Sequence, residues 1–180
     1  MLENANSYLS VSDRQENRKT AIKIWVSASL ITGLWVLAIV MAPVFRFENF
    51  DVAANTLYGF YGYICHQMPS RSFFLFGNQF AVCSRCFGVY FGLFTGFLFC
   101  PLFRDISDIS PLNRIWLFAA CVPMLIDWSL TAFGIWENTF LTRFLTGLLL
   151  GVVCSIFLMP ALVEIFELSI FQNRKIAKNQ

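Results

Sequence analysis

The chain has 180 residues, of which 57% are hydrophobic and only 13% are charged. An average soluble domain carries roughly 25% charged residues, and a soluble fold of this length could not bury so much apolar surface. The composition therefore excludes an ordinary soluble domain and predicts a polytopic membrane protein built as one domain, with the lipid bilayer as its main partner. The net charge is only +2, and the sequence has no basic patch with interspersed aromatic residues. These features do not indicate a nucleic-acid partner.

The N-terminal third predicts a tail, one membrane span and one shorter helix. Residues 1–20 are polar and mixed in charge, which is typical of a cytosolic tail. Residues 22–44 are apolar and long enough to cross, because a helix rises ~1.5 Å per residue and the hydrocarbon core is ~30 Å thick. We expect Pro43 to end this helix. The apolar run 52–64 is too short to cross, so it predicts an interfacial helix that carries Cys65 at its C-terminal end.

The remaining apolar segments predict three further spans, over residues 80–103, 112–134 and 140–166. A basic tail follows at 172–180, so residues 21–171 form a single transmembrane domain. The predicted fold class is therefore all-α, with four transmembrane helices plus a short interfacial helix.

Glycines recur every four residues in two of the predicted spans, and this spacing lets two helix backbones approach closely. They are Gly88, Gly92 and Gly96 in the second span and Gly147 and Gly151 in the fourth. Arg85 and Arg143 lie near these two glycine faces, so both should point into the bundle near Asp127. An unpaired charge there costs several kcal/mol, and we therefore expect Asp127 to pair with one of the two arginines. The pair would either fix the helix register or form part of a charged pocket for an anionic or polar headgroup.

The basic residues are distributed unequally between the two sides of the membrane. Nine of the 13 lysines and arginines lie in or next to three segments: the N-terminal tail, the loop between the second and third spans, and the C-terminal tail. Cytoplasmic segments are the ones enriched in Lys and Arg, so both termini are predicted to be cytoplasmic in a multi-pass protein of the cell membrane. The polar residues of the spans then all fall in the outer half: Cys65, His66, Cys83, Arg85, Cys86, Asp127, Asn138 and Arg143.

The only histidine and three of the six cysteines lie within 22 residues, as Cys65, His66, Cys83 and Cys86. The Cys83-x-x-Cys86 spacing allows one turn to direct two thiolates at a tetrahedral ion, and zinc is the metal that this donor set favours. Because adjacent residues rarely ligate the same ion, three protein ligands with an open position are as plausible as four. An open position would make a Lewis-acid centre.

The chemistry of this cluster has more than one interpretation. With zinc, the chain would be a membrane hydrolase or transferase for a lipid-borne or outer-face substrate, with His66, Arg85, Asp127 and Arg143 as candidate catalytic residues. Alternatively, Cys83 and Cys86 are a thiol–disulfide redox pair, since a helix start and the intervening Arg85 favour the thiolate. A third alternative is a non-enzymatic membrane scaffold in which the cluster is structural.

The same residues resemble the signature of a family of small prokaryotic membrane proteins, domain of unknown function 2085. The resemblance rests on Cys65-His66-Gln67, Pro69, Arg71-Ser72-Phe73 and Cys83-x-Arg85-Cys86-x-Gly88-x-Tyr90-x-Gly92, followed by Asp127 and Arg143-x-x-Thr146-Gly147-x-x-x-Gly151. It covers roughly residues 58–155. It implies a multi-span membrane protein and assigns no activity. Members of the family often have Gly after the aspartate, whereas Trp128-Ser129-Leu130 follows here.

Overall fold

A computed structural model describes residues 11–106, 108 and 112–178. Within these residues the chain forms five α-helices, which we number in chain order. They are α1 (Val11–Phe47), α2 (Asp51–Gly62), α3 (Ser84–Phe103), α4 (Ile115–Ala132) and α5 (Phe140–Lys178). The ends predicted as tails lie partly outside this description, at residues 1–10 and 179–180; the described remainder of each is helical.

Four of the helices are long and apolar enough to cross a membrane, and α2 is not among them. The crossing segments are Arg18–Phe47, Ser84–Phe103, Ile115–Ala132 and Phe140–Phe166. This confirms the predicted fold class of an all-α, four-span membrane protein with one additional short helix.

Several predicted helix boundaries differ from the structure, and two of the differences have a clear physical cause. The expectation that Pro43 ends the first helix is wrong, because α1 continues through Pro43 to Phe47. Proline removes one backbone hydrogen bond, but the helix resumes with the amide of Glu48 donating to the Val44 carbonyl at 2.9 Å. Continuing the helix is favoured because apolar surroundings offer backbone groups no other partners. The second span begins at Ser84 rather than at residue 80, because Cys83 has extended backbone angles and caps α3.

Helices α3 and α5 form the central pair of the bundle, with the most extensive contact between any two helices. Their glycine faces meet directly. A Cβ atom added at Gly88, Gly92 or Gly151 would overlap backbone atoms of the facing helix. The absence of side chains at these positions therefore lets the two backbones touch, which fixes the register of α3 against α5.

Helix α1 crosses this pair, and apolar clusters form at two levels along it. At one level Trp25 Nε1 donates a hydrogen bond to the Phe97 carbonyl at 2.6 Å. At the other level, near the C-terminal end of α1, Ile39 and Ala42 pack with Tyr61 of α2 and with Cys65. Helix α2 is thereby held against α1, and its C-terminal end lies in the apolar cluster near the start of α3.

The segment between α2 and α3 is a small folded unit. It contains a 3-10 turn at Pro69–Arg71 and an antiparallel hairpin of β1 (Phe74–Leu75) and β2 (Asn78–Gln79). Phe76 and Gly77 connect the strands with φ angles of 51° and 78°. Positive φ at both central positions is the geometry of the tight hairpin turns that match strand twist. The hairpin returns the chain to the first residues of α3.

Candidate functional site

Cys65, Cys83 and Cys86 bring their sulfur atoms together, with all three Sγ atoms within 4.8 Å of one another. Cys65 follows the last turn of α2, and its amide donates to the Tyr61 carbonyl at 2.9 Å. Cys83 caps the N-terminus of α3, and Cys86 lies one turn later. The amide of Cys83 also donates to Cys65 Sγ at 3.2 Å. Two separate chain segments thus meet at one thiol cluster.

Gln67 joins the two segments that carry the thiols. Its side-chain Nε2 donates to the Tyr58 carbonyl of α2 at 2.8 Å and to the Ala81 carbonyl before α3 at 2.7 Å. Gln79 Nε2 donates to the Gln67 carbonyl at 3.1 Å, and the Tyr58 hydroxyl donates to the Gln79 carbonyl at 2.5 Å. Gln67 has a φ of 49°, which turns the chain sharply after Cys65 and His66. This network holds Cys65 against the start of α3.

The surroundings of Cys65 favour its thiolate form. Hydrogen bonds from the Cys83 and Cys86 thiols, together with the backbone amides of Cys83 and Gln67, lower the pKa of Cys65 well below its usual range. Burial acts in the opposite direction but is the smaller effect. A thiolate is the protonation state that both metal binding and thiol exchange require.

The spacing of the three sulfur atoms fits one tetrahedral ion. Zn–S bonds of about 2.3 Å at tetrahedral angles place sulfur atoms about 3.8 Å apart, and the observed upper limit of 4.8 Å needs only a small contraction. All six cysteines are free thiols, so none of the three is engaged in a disulfide. The donor set is therefore suited to a soft or borderline cation in a three-thiolate site.

His66 is adjacent to the cluster but is not part of it. Its side chain is exposed, and its ring nitrogens do not belong to the group of ligand atoms within 4.8 Å. It lines a cavity of about 360 Å³ together with Cys65, Cys83, Cys86 and Arg71. We call this space the thiol cavity. The histidine is thus near enough to face a ligand in the cavity.

The charged residues predicted for the spans form a chain of polar contacts beside the thiols. Arg85 of α3 forms an ion pair with Asp127 of α4 at 2.5 Å. Asn138 Nδ2 donates to Asp127 Oδ2 at 2.7 Å. Arg143 Nε donates to Asn138 Oδ1 at 2.5 Å. Of the two pairings expected for Asp127, the structure has the one with Arg85, and Asn138 connects Arg143 to the same carboxylate.

A second cavity of about 390 Å³ lies on this side of the thiols. Its polar lining includes Arg71, Arg85, Asn138 and Arg143, and we call it the arginine cavity. Cys83 and Cys86 line both cavities, so the two thiols form a wall between them. Arg71 lines both as well.

The structure also identifies functional candidates that sequence reasoning did not select. Gln67 orders the thiol segment, Asn138 bridges the two buried ionic groups, and Arg71 lines both cavities. Two of them could have been identified from weak sequence signals. Arg71 lies inside the Arg-Ser-Phe motif, and Asn138 lies between α4 and α5 in a chain otherwise poor in polar residues. Nothing in the sequence indicated the positive φ that gives Gln67 its role.

The comparisons with known proteins agree with this architecture. Residues 65–157 match the model of a family described as a predicted membrane protein, DUF2085. An uncharacterized protein of Methanocaldococcus jannaschii is 36% identical over 136 residues, covering 73% of this chain and 87% of the relative. An uncharacterized protein of Methanothermobacter thermautotrophicus is 37% identical over 90 residues, covering 50% of this chain and 79% of the relative. No solved structure matches the chain.

The match includes Cys65, Cys83 and Cys86 and extends through the first turns of α5. It therefore spans the part of the bundle that contains both cavities. The chain belongs to the DUF2085 family of membrane proteins.

Proposed function

We propose that the protein binds zinc through Cys65, Cys83 and Cys86 at the outer face of the cell membrane and acts there as a hydrolase or transferase. The single observation that supports this is the convergence of three Sγ atoms within 4.8 Å. Cys65 comes from a different segment than Cys83 and Cys86, so its sulfur joins theirs only because the fold brings the two segments together. The proposed orientation is supported by the basic residues near both chain ends, which favour cytoplasmic termini and therefore an outer location of the thiols.

The residues around the thiols have distinct roles in this proposal. When bound, zinc with an open position supplies Lewis-acid chemistry and acidifies a bound water. Gln67 holds Cys65 at the start of α3 through its two hydrogen bonds. Exposed His66 lines the thiol cavity, where it accepts a proton or completes the ligand set. Arg85, Asp127 and Arg143 lie on the other side of the wall, where they orient a substrate.

Elemental analysis of protein purified without added chelator tests the proposal. We expect about one zinc per chain, lost in Cys83→Ser and retained in Cys100→Ser, which changes a buried thiol of α3 outside the cluster. Zinc retained in His66→Ala would indicate an open fourth position, and zinc lost there would indicate a fourth ligand. Protein without metal, or a Cys83→Ser variant with undiminished zinc, would contradict the proposal.

A second candidate function is thiol–disulfide exchange, favoured by the position of Cys83 and Cys86 in the first turn of α3. Cys65, whose pKa is lowered by hydrogen bonds from the Cys83 and Cys86 thiols, is close enough to resolve a mixed disulfide on either of them. Metal-free protein in which maleimide labels Cys83 and Cys86 only after reduction would support this function. Metal-free protein with permanently reduced thiols, which folds normally after Cys65→Ala and His66→Ala, would leave a non-enzymatic scaffold.

A further inference from the structure

The arginine cavity contains more positive charge than its neighbours neutralise. Arg71, Arg85 and Arg143 all line it. Only Arg85 has an ion-pair partner, the carboxylate of Asp127. Within the described part of the chain, Arg71 and Arg143 form no ion pair; Arg143 has only the neutral amide of Asn138. A bound anion would supply the missing charge.

Donor groups of these arginines are available to such an anion. The Nε of Arg85 lacks a hydrogen-bond partner among the described residues but is buried, so Arg71 and Arg143 are the arginines that can contact an anion in the cavity. The Arg71 guanidinium, which is exposed, is not engaged in any ion pair that the described residues form. A guanidinium presents planar, paired N–H donors that match the oxygen atoms of a phosphoryl group. Asn138 and Thr131 add further polar groups to the lining.

The cavity opens at one end of the bundle, where membrane headgroups lie. Arg85 is in the first turn of α3, Thr131 is in the last turn of α4, and Arg143 is in the first turn of α5. All three apolar spans thus reach the cavity at their ends. Charged residues at this depth favour ligands that carry charge at the bilayer surface.

We propose that the arginine cavity binds a phosphoryl group, either on a lipid headgroup or as a free phosphate species. Arg71 and Arg143 contact the phosphoryl oxygens, and Asp127 and Asn138 hold Arg85 and Arg143 in place. The claim that a phosphoryl compound is the substrate of the thiol centre rests on the proposed function. The claim that the arginines bind an anion does not.

Calorimetric titration of the full chain in a neutral detergent tests the inference with three probes. They are inorganic phosphate, dioctanoyl phosphatidic acid and dioctanoylglycerol, which lacks the phosphoryl group. We expect phosphatidic acid to bind and dioctanoylglycerol not to bind. Inorganic phosphate that binds as well as phosphatidic acid identifies a free phosphate species as ligand, and phosphate that binds much more weakly identifies a lipid headgroup. If neither phosphate-bearing probe binds, the inference is overturned.

Variants separate a built site from general charge attraction. Arg71→Gln should weaken phosphatidic acid binding about tenfold or more, since it removes charge-assisted hydrogen bonds. Its fold should persist because Arg71 is exposed and forms no ion pair with a described residue. Arg46→Gln is the matched control, because Arg46 binds Asp51 and Asn55 away from the cavity. Equal binding by Arg71→Gln and wild type would overturn the inference.

Zinc content measured on the same samples distinguishes the two proposals. Cys65 lines the thiol cavity but is not part of the arginine cavity. We expect Cys65→Ser to lose zinc but keep most of its phosphatidic acid binding, and Arg71→Gln to keep zinc but lose most of that binding. Wild-type protein that lacks zinc but binds phosphatidic acid would contradict the zinc proposal and leave the phosphoryl-binding proposal intact.

Discussion

The α3–α5 pair and helix α4 are held in the bundle in two different ways. Six residues of α3 are buried, and three of them are glycines that place backbone against backbone. Helix α4 has a single buried residue, Ala120, and its firmest described link is the ion pair of Asp127 with Arg85. The central pair is thus fixed by shape, whereas α4 depends on polar bonds at one end, and α2 combines an apolar contact with α1 and the hydrogen bonds of Gln67. Those polar bonds surround the two cavities.

The largest expected effect concerns the central pair. Gly92→Ala places a methyl group against backbone atoms of Leu148 and Val152, which cannot move without shifting the helix. We expect a loss of about 3 kcal/mol in the free energy of unfolding, the upper part of the range for overpacking. Gly59→Ala is the control, because a Cβ there meets open space. Thermal unfolding in detergent measures both, and a Gly92→Ala variant as stable as Gly59→Ala would show that the pair is not held by shape.

The second prediction tests the attachment of α4. Asp127→Asn leaves the Arg85 charge unpaired and should cost about 2 kcal/mol, less than a fully buried pair because Arg85 is 23% exposed. Detachment of α4 would be detected as faster maleimide labelling of Cys121. Asp51→Asn, which breaks the exposed pair with Arg46, should cost less than about 1 kcal/mol.

A double variant checks the physical reason for that loss. If the penalty comes from the unpaired charge, Arg85→Gln together with Asp127→Asn should be more stable than Asp127→Asn alone. An equal or greater loss in the double variant would mean that Asp127 acts through contacts other than its pair with Arg85.

The third prediction concerns the attachment of the α2 segment. Gln67→Ala leaves the carbonyls of Tyr58 and Ala81 without the donor that joins them, which should cost about 1 kcal/mol. Because Cys65 loses its support, zinc affinity should fall more than global stability does. Asn78→Ala, which removes a single exposed hydrogen bond in the hairpin, should leave both unchanged. Equal zinc affinity in the two variants would contradict a positioning role for Gln67.

The smallest expected effect is a loss of stability at alkaline pH that arises from Tyr61 of α2. Burial raises the pKa of Tyr61 from 10.0 to about 12, and its hydroxyl donates to the Trp35 carbonyl at 2.9 Å. Because the folded pKa is the higher one, the contribution of Tyr61 to stability is complete below pH 10 and is lost as pH rises toward 12. Tyr61→Phe should therefore flatten the decline in stability across that interval. A decline of the same slope in both proteins would contradict this assignment.

The sequence predicted the parts of the fold that depend on periodic patterns. Apolar length located the spans, and the four-residue glycine spacing located the contact between α3 and α5. The pairing of Asp127 followed from the cost of an isolated charge in lipid, although the sequence left both arginines as partners. Pro43 was misjudged because the rule that proline ends a helix weakens where lipid offers the backbone no alternative partners.

The parts that escaped prediction depend on single backbone or side-chain geometries. Gln67 joins two segments because its φ is positive, and no local pattern encodes that angle. Asn138 bridges Asp127 and Arg143 only after α4 and α5 have packed. The proposed ligand role of His66 stays a prediction, because its exposed side chain lines the thiol cavity but lies outside the group of three Sγ atoms.

The wall formed by Cys83 and Cys86 has a consequence for how the two cavities communicate. Since Cys83 and Cys86 line both spaces, any event that changes their charge alters the electric potential at an anion in the arginine cavity. Thermodynamic linkage makes the influence mutual, so an anion that favours one ionic state of the sulfurs is itself retained by that state. Under the two proposals, oxidation of these thiols or metal binding to them would thus change the affinity for a phosphate-bearing molecule without any helix having to move.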